Sequence, residues 1–144
     1  MIAYSKKVLD HLANPRNVGK IKGANGTGEV GNVVCGDVMK LYIKVKDGVI
    51  KEIGFETYGC AAAIATSSVI TEMVKGKKIT EVSRMENSDI LKALDGLPPI
   101  KIHCSLLSVD ALSEAIWDYL KKNKKKIPKG LKKRHERIMK LEKK

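Results

Sequence analysis

Apolar and polar residues alternate most regularly between Val38 and Lys46. Successive side chains of a strand point to opposite faces, so this alternation predicts a β-strand with one buried and one exposed face. Asp47-Gly48 follows directly, and this dipeptide is a strong signal for a two-residue hairpin turn. We therefore expect an antiparallel return strand from Val49 to Tyr58, and a weaker strand earlier, from Thr27 to Val34. The apolar side chains of the clearest strand are Met39, Leu41, Ile43 and Val45.

Three longer segments follow the helical period instead. Apolar residues after Gly59 recur at helical spacing as far as Val74, and Gly76 is expected to end that helix. A long helix is predicted from about Ser105 to Lys122. A short basic amphipathic helix is predicted in the tail, and its apolar stripe consists of Leu131, His135, Ile138 and Leu141.

Shorter helices are expected at the start and in the middle of the chain. Ser5 is predicted to cap a short first helix. His11 is expected on its polar side, in contact with solvent. Thr80 and Ser88 are predicted as the N-caps of two further short helices. The residues expected on the apolar side of the first helix are Val8, Leu9 and Leu12.

The order of these elements is a helix, then strands, then helices, which indicates an α+β fold and not a parallel βαβ fold. We predict a three-stranded antiparallel sheet packed on one face by helices, with a long C-terminal helix and a basic helical tail. The 144 residues suffice for one domain. We assign that domain to residues 1–122 and a basic extension to residues 123–144.

Positive charge is concentrated at one end of the chain. The whole sequence has a net charge of +12, and residues 121–144 hold 13 Lys/Arg and 2 Glu, a net of +11. The remaining residues are nearly neutral. The tail is therefore interpreted as a solvated charged helix or as a docking arm for an acidic partner. Nucleic-acid binding is disfavoured, because the tail lacks interleaved aromatic residues and a groove-reading motif.

No apolar run approaches the roughly 20 residues that a membrane span requires. The first residues also lack the hydrophobic block of a signal peptide. We therefore expect a cytoplasmic protein without a membrane partner, in a compartment where thiols stay reduced. The three cysteines are an odd number, which excludes a complete disulfide framework.

Each cysteine lies in a patch of its own, and two patches contain a second metal donor. Cys35 is followed by Asp37, and Cys104 is preceded by His103. Thiolates, an imidazole and a carboxylate together can form a metal site. Cys60 and Cys104 are expected near helix starts, where the helix dipole favours the thiolate. A single free cysteine is commonly a small buried side chain, but three such patches at element boundaries favour one shared site.

Several separate segments resemble one protein family, in the right order. They span residues 4–11, 14–19, 35–41, 57–60, 71–76 and 97–105, and together the resemblance covers about residues 2–122. The most specific of them are Cys35-Gly36-Asp37, Thr57-Tyr58-Gly59-Cys60 and Leu97-Pro98-Pro99-Ile100-Lys101-Ile102-His103-Cys104. The family is that of the IscU iron–sulfur cluster assembly scaffolds, to which the N-terminal domain of NifU belongs.

The resemblance implies a scaffold and not an enzyme. A cysteine desulfurase would deliver sulfur as a persulfide, iron would join it, and the finished cluster would pass to apo iron–sulfur proteins. By position, Cys35, Cys60 and Cys104 would be cluster ligands, and Asp37 and His103 would be alternative fourth donors. Cys104 would be the first sulfur acceptor.

The resemblance also implies a chaperone partner and leaves the cluster type open. The segment Leu97, Pro98, Pro99, Ile100 and Lys101 matches the one gripped by an Hsp70-type chaperone with its J-protein. The cofactor would be a 2Fe–2S cluster on a monomer or a 4Fe–4S cluster shared by a homo-oligomer.

Zinc can occupy the same donors. A zinc-binding sulfur-transfer module like SufU is therefore the second interpretation. The chain lacks the insertion that SufU carries before its last cysteine, and it keeps His103, which places it closer to IscU.

Overall fold

The computed structural model describes residues 4–31 and 36–142, without the side chains of Ile100, His103, Cys104, Leu141 and Glu142. Three strands and six helices lie in this part of the chain. The strands are β1 (Gly26–Gly31), β2 (Val38–Lys46) and β3 (Val49–Tyr58), and the helices are α1 (Lys6–Ala13), α2 (Ala61–Val74), α3 (Ile79–Val82), α4 (Asn87–Ala93), α5 (Ile102–Lys122) and α6 (Lys129–Glu142). A single 3₁₀ turn, Pro99–Lys101, precedes α5.

The sheet is antiparallel, with the strand order β1-β2-β3. The predicted bounds of β2 and β3 are confirmed. Asp47 and Gly48 both have positive φ values, 54° and 75°, which is the backbone conformation that a type I′ hairpin turn requires. The weak strand is confirmed as far as Gly31, and residues 32–34 of that prediction lie outside the described part.

Helices α2 and α5 cover one face of the sheet, as predicted. Helix α5 packs over β1 and β2, and α2 packs over β3. A Cβ atom on Gly28 would lie only 2.1 Å from the backbone oxygen of Ala111, and one on Gly26 would lie 2.5 Å from that of Ala115. Strand β1 therefore contacts the backbone of α5 directly, which fixes the position of the long helix along the sheet.

The core between the sheet and the helices is mainly aliphatic, and Phe55 and Tyr119 are its aromatic members. Its buried side chains come from all three strands and all six helices. None of the helices in the described part of the chain is long and apolar enough to span a membrane.

The prediction that His11 is solvated is wrong. Its side chain is only 7% exposed, and its Nδ1 lies 2.7 Å from Oγ of Ser68 on α2. Helix α1 packs against α2 through the stripe that contains Val8 and His11, so Leu9 is turned outward and is 52% exposed. Burial lowers the pKa of the His11 imidazole, and nearby Arg16 adds to that effect.

The predicted caps of the two short helices are also wrong. Thr80 and Ser88 lie inside α3 and α4, whose N-caps are Lys78 and Glu86. Lys78 forms a β-bridge with Val49, so α3 starts at the next residue. In α4, the backbone N–H of Glu86 donates to the Asp89 carboxylate at 2.9 Å, and this places the N-cap two residues earlier than predicted.

The long helix begins three residues earlier than predicted, at Ile102 instead of Ser105. The 3₁₀ turn before it starts at Pro99, whose fixed φ suits the first position of a helical segment. His103 and Cys104 consequently belong to the first turn of α5.

Candidate metal centre

The sheet register brings the cysteine-bearing segments to one end of the molecule. Gly31 on β1 pairs with Val38 on β2, and Val38 pairs with Tyr58 on β3. Cys60 follows Tyr58 by two residues, and Cys35 lies in the connection between β1 and β2. The strand ends at this edge thus place Asp37, directly before β2, beside Cys60, which follows β3.

Helix α5 begins at the same end. It runs antiparallel to β1, because Gly26 faces Ala115 while Gly28 faces Ala111, one turn earlier on the helix. Helix α2 runs beside it in the same direction, and the Ser108 hydroxyl donates to Thr66 Oγ1 at 2.8 Å across the two helices. The N-termini of α2 and α5 therefore converge at the edge of the sheet that carries the cysteine patches.

Both of these N-termini lack a side-chain cap. Cys60 is the N-cap of α2, with φ −78° and ψ 173°, and Lys101 is the N-cap of α5. Neither helix start receives a hydrogen bond from the side chain of its N-cap residue. The positive end of the helix dipole favours an anion at both places.

Cys60 and Asp37 form the described part of the candidate centre. The Cys60 thiol donates to Oδ2 of Asp37 at an Sγ–Oδ2 distance of 3.6 Å, and Asp37 is only 6% exposed. A sulfur bound at about 2.3 Å and an oxygen bound at about 2.1 Å to one tetrahedral ion lie about 3.6 Å from each other. The two donor atoms are thus spaced as ligands of a single metal ion.

Two glycines allow Asp37 to reach this position. Gly36 has a φ of +73°, a conformation that residues with a side chain rarely adopt. A Cβ atom on Gly59 would lie 2.8 Å from Cγ of Asp37. This role of Gly59 was not predicted, although its place directly before Cys60 was a signal for a close approach.

The other predicted donors lie outside the described residues. This applies to the whole of Cys35 and to the side chains of His103 and Cys104. The backbones of His103 and Cys104 occupy the second and third positions of α5. Among the described side chains, no group of three or more His, Cys, Asp or Glu residues could hold a metal ion. The convergence of all five donors stays a prediction.

Apolar side chains are exposed around this end of the molecule. Tyr58, at the end of β3, is 77% exposed, and Ile102 and Leu106 on the first turns of α5 are also exposed. Leu97 is partly buried against the core, and Pro99 is exposed. The apolar rim consisting of Tyr58, Ile102 and Leu106 was not predicted, because the spacing of these residues in the sequence gives no sign that they share a surface.

The fold and this pair of donors define a small α+β domain with a candidate metal centre at the starts of two helices. The sequence profile of the "NifU-like N terminal domain" matches residues 3–126. The chain belongs to this family.

Curated relatives and a solved structure agree with this assignment. The chain is 57% identical over 142 residues to "Iron-sulfur cluster assembly scaffold protein IscU 1" of Archaeoglobus fulgidus, covering 96% of this chain and 93% of the relative. It is 53% identical over 129 residues to the protein of Escherichia coli K12 named "Iron-sulfur cluster assembly scaffold protein IscU", covering 87% and 100%. The crystal structure of a NifU-like N-terminal protein from Brucella abortus matches with a TM-score of 0.67 at 25% identity, covering 81% and 94%.

Proposed function

We propose that this chain is a scaffold on which an iron–sulfur cluster is assembled and from which it passes to apo-proteins. The observation that carries the proposal is the Cys60–Asp37 pair, 3.6 Å apart at the start of α2. The IscU relatives, at 53% and 57% identity, support it over the SufU-like alternative. The expected compartment is the cytoplasm, where thiols stay reduced.

The donor set suits a cluster that must leave again. Durable clusters are commonly held by four cysteine thiolates. Here Cys35, Cys60 and Cys104 would supply three, and Asp37 or His103 the fourth ligand. An oxygen or nitrogen donor makes one corner of the cluster easier to exchange. The buried position of Asp37 beside Cys60 supports the carboxylate as that weaker donor.

Sulfur would arrive on Cys104 from a cysteine desulfurase. The Cys104 thiolate attacks the outer sulfur of the desulfurase persulfide, the old S–S bond breaks, and the desulfurase cysteine leaves as a thiolate. The step moves one sulfur atom and needs no additional oxidant. The backbone of Cys104 lies in the first turn of α5, where the helix dipole stabilises a thiolate. This position supports Cys104 as the nucleophile of the step.

Release would involve an Hsp70-type chaperone and its J-protein at residues 97–101. This segment joins α4 to α5 and includes the 3₁₀ turn that leads into the helix with His103 and Cys104. Leu97 packs against the core while Pro99 is exposed. A partner that pulls Leu97 outward would disturb the first turn of α5 and loosen the ligands there.

Replacing Asp37 by alanine tests the proposal. We expect Asp37→Ala to hold a reconstituted cluster severalfold longer and to transfer it more slowly to apo-ferredoxin, because the exchangeable donor is gone. Cluster content is followed by the visible spectrum and by iron and sulfide analysis under anaerobic conditions. The spectrum also separates a 2Fe–2S cluster from a 4Fe–4S cluster, and gel filtration shows whether loading produces a dimer.

Glu81→Ala removes an exposed carboxylate on α3; it is the matched control and should behave like the parent protein. Equal cluster lifetimes in the parent and Asp37→Ala would contradict the role of Asp37. A colourless protein with one tight zinc ion that reconstitution cannot replace would favour the SufU-like alternative.

A further inference from the structure

The tail helix α6 packs firmly on α5. Leu131 and Ile138 are each only 2% exposed and belong to the hydrophobic core. Arg134 donates to Ser113 Oγ at 2.8 Å, and Arg137 donates to the Asp110 carboxylate at 2.7 Å. The tail helix therefore has a defined orientation on the body.

A histidine on α6 strengthens this packing. Nδ1 of His135 lies 2.6 Å from Oε2 of buried Glu114. Its ring stacks on Trp117 with the ring centroids 3.8 Å apart and the planes 9° from parallel. The inward face of α6 thus uses its arginines, its histidine and its apolar residues to bind α5.

The outward face of α6 has a different composition. Residues 129, 132, 133, 136 and 140 fall on one side of a helix with 3.6 residues per turn. All five are exposed, and only Glu136 among them is acidic. No ion pair among the described residues involves the four lysines, Lys129, Lys132, Lys133 and Lys140.

The basic surface continues into the connection between α5 and α6. Residues 121, 122, 124, 125 and 126 are all exposed lysines. Lys122 forms an ion pair with Asp118 at 2.9 Å. Lys121 and Lys125 lie over the rings of Trp117 and Tyr119. These residues and the four lysines of α6 form what we call the lysine surface.

We propose that the lysine surface docks an acidic surface of a partner protein that takes part in cluster assembly. The proposal rests on the scaffold function proposed above. An array of like charges steers an oppositely charged partner and speeds association, which suits complexes that form and separate repeatedly.

A protein partner fits this surface better than a nucleic acid does. Single strands are bound by exposed aromatic rings on which bases stack. Here the Trp117 ring is stacked by His135, and Tyr119 is buried. Arginine recognises phosphate through two parallel N–H donors. Arg134 and Arg137 instead donate to Ser113 and Asp110 of α5, and the cations of the outward face are lysines.

Most of the lysine surface lies away from the candidate metal centre. Lys122 follows Cys104 by 18 residues, about 27 Å along α5 at 1.5 Å per residue. Helix α6 runs back along α5, where Arg134 donates to Ser113 and Arg137 donates to Asp110, so Lys140 lies nearest the start of α5. A partner held on the lysines of residues 121–133 leaves the apolar rim and the candidate metal centre accessible. The alignment with the Archaeoglobus fulgidus relative covers 96% of this chain. It leaves out only about six of the 144 residues, so most of α6 is aligned with that relative.

The test reverses four charges of the lysine surface. The variant K129E/K132E/K133E/K140E changes only outward positions of α6, so the packing of the helix on α5 should survive. Circular dichroism and the emission of Trp117, the single tryptophan, check this. The matched control, K20E/K22E/K51E/K77E, changes the same number of exposed lysines elsewhere on the body.

Two probes are titrated without iron, a fluorescent glutamate homopeptide and a single-stranded oligonucleotide. We expect the peptide to bind the parent protein in a salt-dependent manner. The α6 variant should bind the peptide with about tenfold lower affinity, which corresponds to about 1.4 kcal/mol of binding free energy. The control should retain the affinity of the parent protein. Equal weakening in both variants would overturn the proposal, as would tighter binding of the oligonucleotide that only the α6 variant loses.

The second measurement is the rate of cluster assembly when a cysteine desulfurase supplies the sulfur. We expect the α6 variant to need a severalfold higher scaffold concentration for half-maximal rate at low salt, with little difference at high salt. An unchanged concentration dependence would contradict the docking role. The peptide titration needs no cluster. A failure of the peptide to bind would therefore contradict the docking role and not the scaffold function. A failure to build any cluster would contradict the scaffold function and not the peptide result.

Discussion

At the scale of single residues, the position of one carboxylate depends on the absence of a side chain. Gly59 brings the backbone before Cys60 so close to Asp37 that an added Cβ would lie 2.8 Å from Cγ and 2.9 Å from Oδ1. Real Cβ atoms do not approach other atoms this closely. The close approach of Cys60 and Asp37 therefore depends on the glycine at position 59.

Gly59→Ala should lower the free energy of unfolding by about 1–3 kcal/mol, because the added methyl group overpacks the site. Urea denaturation measures the change. In the background of Asp37→Ala the same substitution should cost clearly less, since the clashing carboxylate atoms are gone. Gly31→Ala is the control, because its Cβ would make only ordinary contacts at 3.9 and 4.0 Å. Equal costs in both backgrounds would show that Asp37 does not limit position 59.

The buried His11 should make stability depend on pH. Its pKa in the folded protein is lowered from 6.5, mainly by burial, so the unfolded chain binds the proton more readily. Stability from this group is complete above pH 6.5 and falls as the pH drops toward the folded pKa. We expect His11→Gln to flatten the loss of unfolding free energy below about pH 6.5. A profile that keeps the parent slope would refute the assignment to His11.

At the scale of elements, the parts of the fold that depend on local signals could be predicted from the sequence. Strands β2 and β3 have the predicted bounds because period-two alternation and Asp47-Gly48 are both local. The caps of α3 and α4 could not be predicted, because one depends on the bridge of Lys78 to distant β3. The burial of His11 likewise depends on Ser68, far along the chain.

The same division applies to the candidate metal centre. The patches around Cys60 and Asp37 were visible as motifs in the sequence. Their contact depends on the register that places Val38 beside Tyr58, and on the missing Cβ of Gly59. Both are properties of the folded chain, so the sequence identifies the donor types but gives no distance between them.

Helix α6 should leave α5 when its main apolar contact is removed. Leu131→Ala deletes a side chain that is 2% exposed, and such deletions typically cost about 2–5 kcal/mol. Because α6 packs mainly on one helix, we expect it to detach while the body stays folded. The stack of His135 on Trp117 would then open, and the tryptophan emission should shift to the red. Lys132→Ala, one exposed position further, should leave the emission unchanged, and an unshifted emission in Leu131→Ala would contradict detachment.

At the scale of the whole molecule, α5 connects two regions of different chemistry. The candidate metal centre lies at its start. Arg134 donates to Ser113 of α5, so the lysines that precede Arg134 on α6 lie about nine residues or more beyond Cys104 along α5, a distance of about 14 Å. This distance exceeds the screening length of about 8 Å at physiological ionic strength. The charges of Lys129, Lys132 and Lys133 should therefore leave the metal affinity unchanged.

Zinc binding provides the measurement of this independence. A ligand at a hundred times its dissociation constant stabilises the folded state by about 2.7 kcal/mol. We expect zinc to raise the thermal midpoint of the parent protein and of K129E/K132E/K133E equally. Cys60→Ser should lose most of that increase. A smaller increase in the lysine variant would mean that the two regions are coupled.

The uncapped starts of α2 and α5 have a consequence for how partners distinguish successive states of the scaffold. A cluster held by the thiolates of Cys60 and Cys104 would be an anion at these two starts, and it would supply the capping that no N-cap side chain provides. When the cluster leaves, both first turns lose this cap and fray more readily. Amide hydrogen exchange at residues 61–64 and 102–105 would then report occupancy. Backbone order at this edge would differ between the empty and the loaded scaffold. A sulfur donor would then bind the empty state, and a cluster acceptor would bind the loaded state.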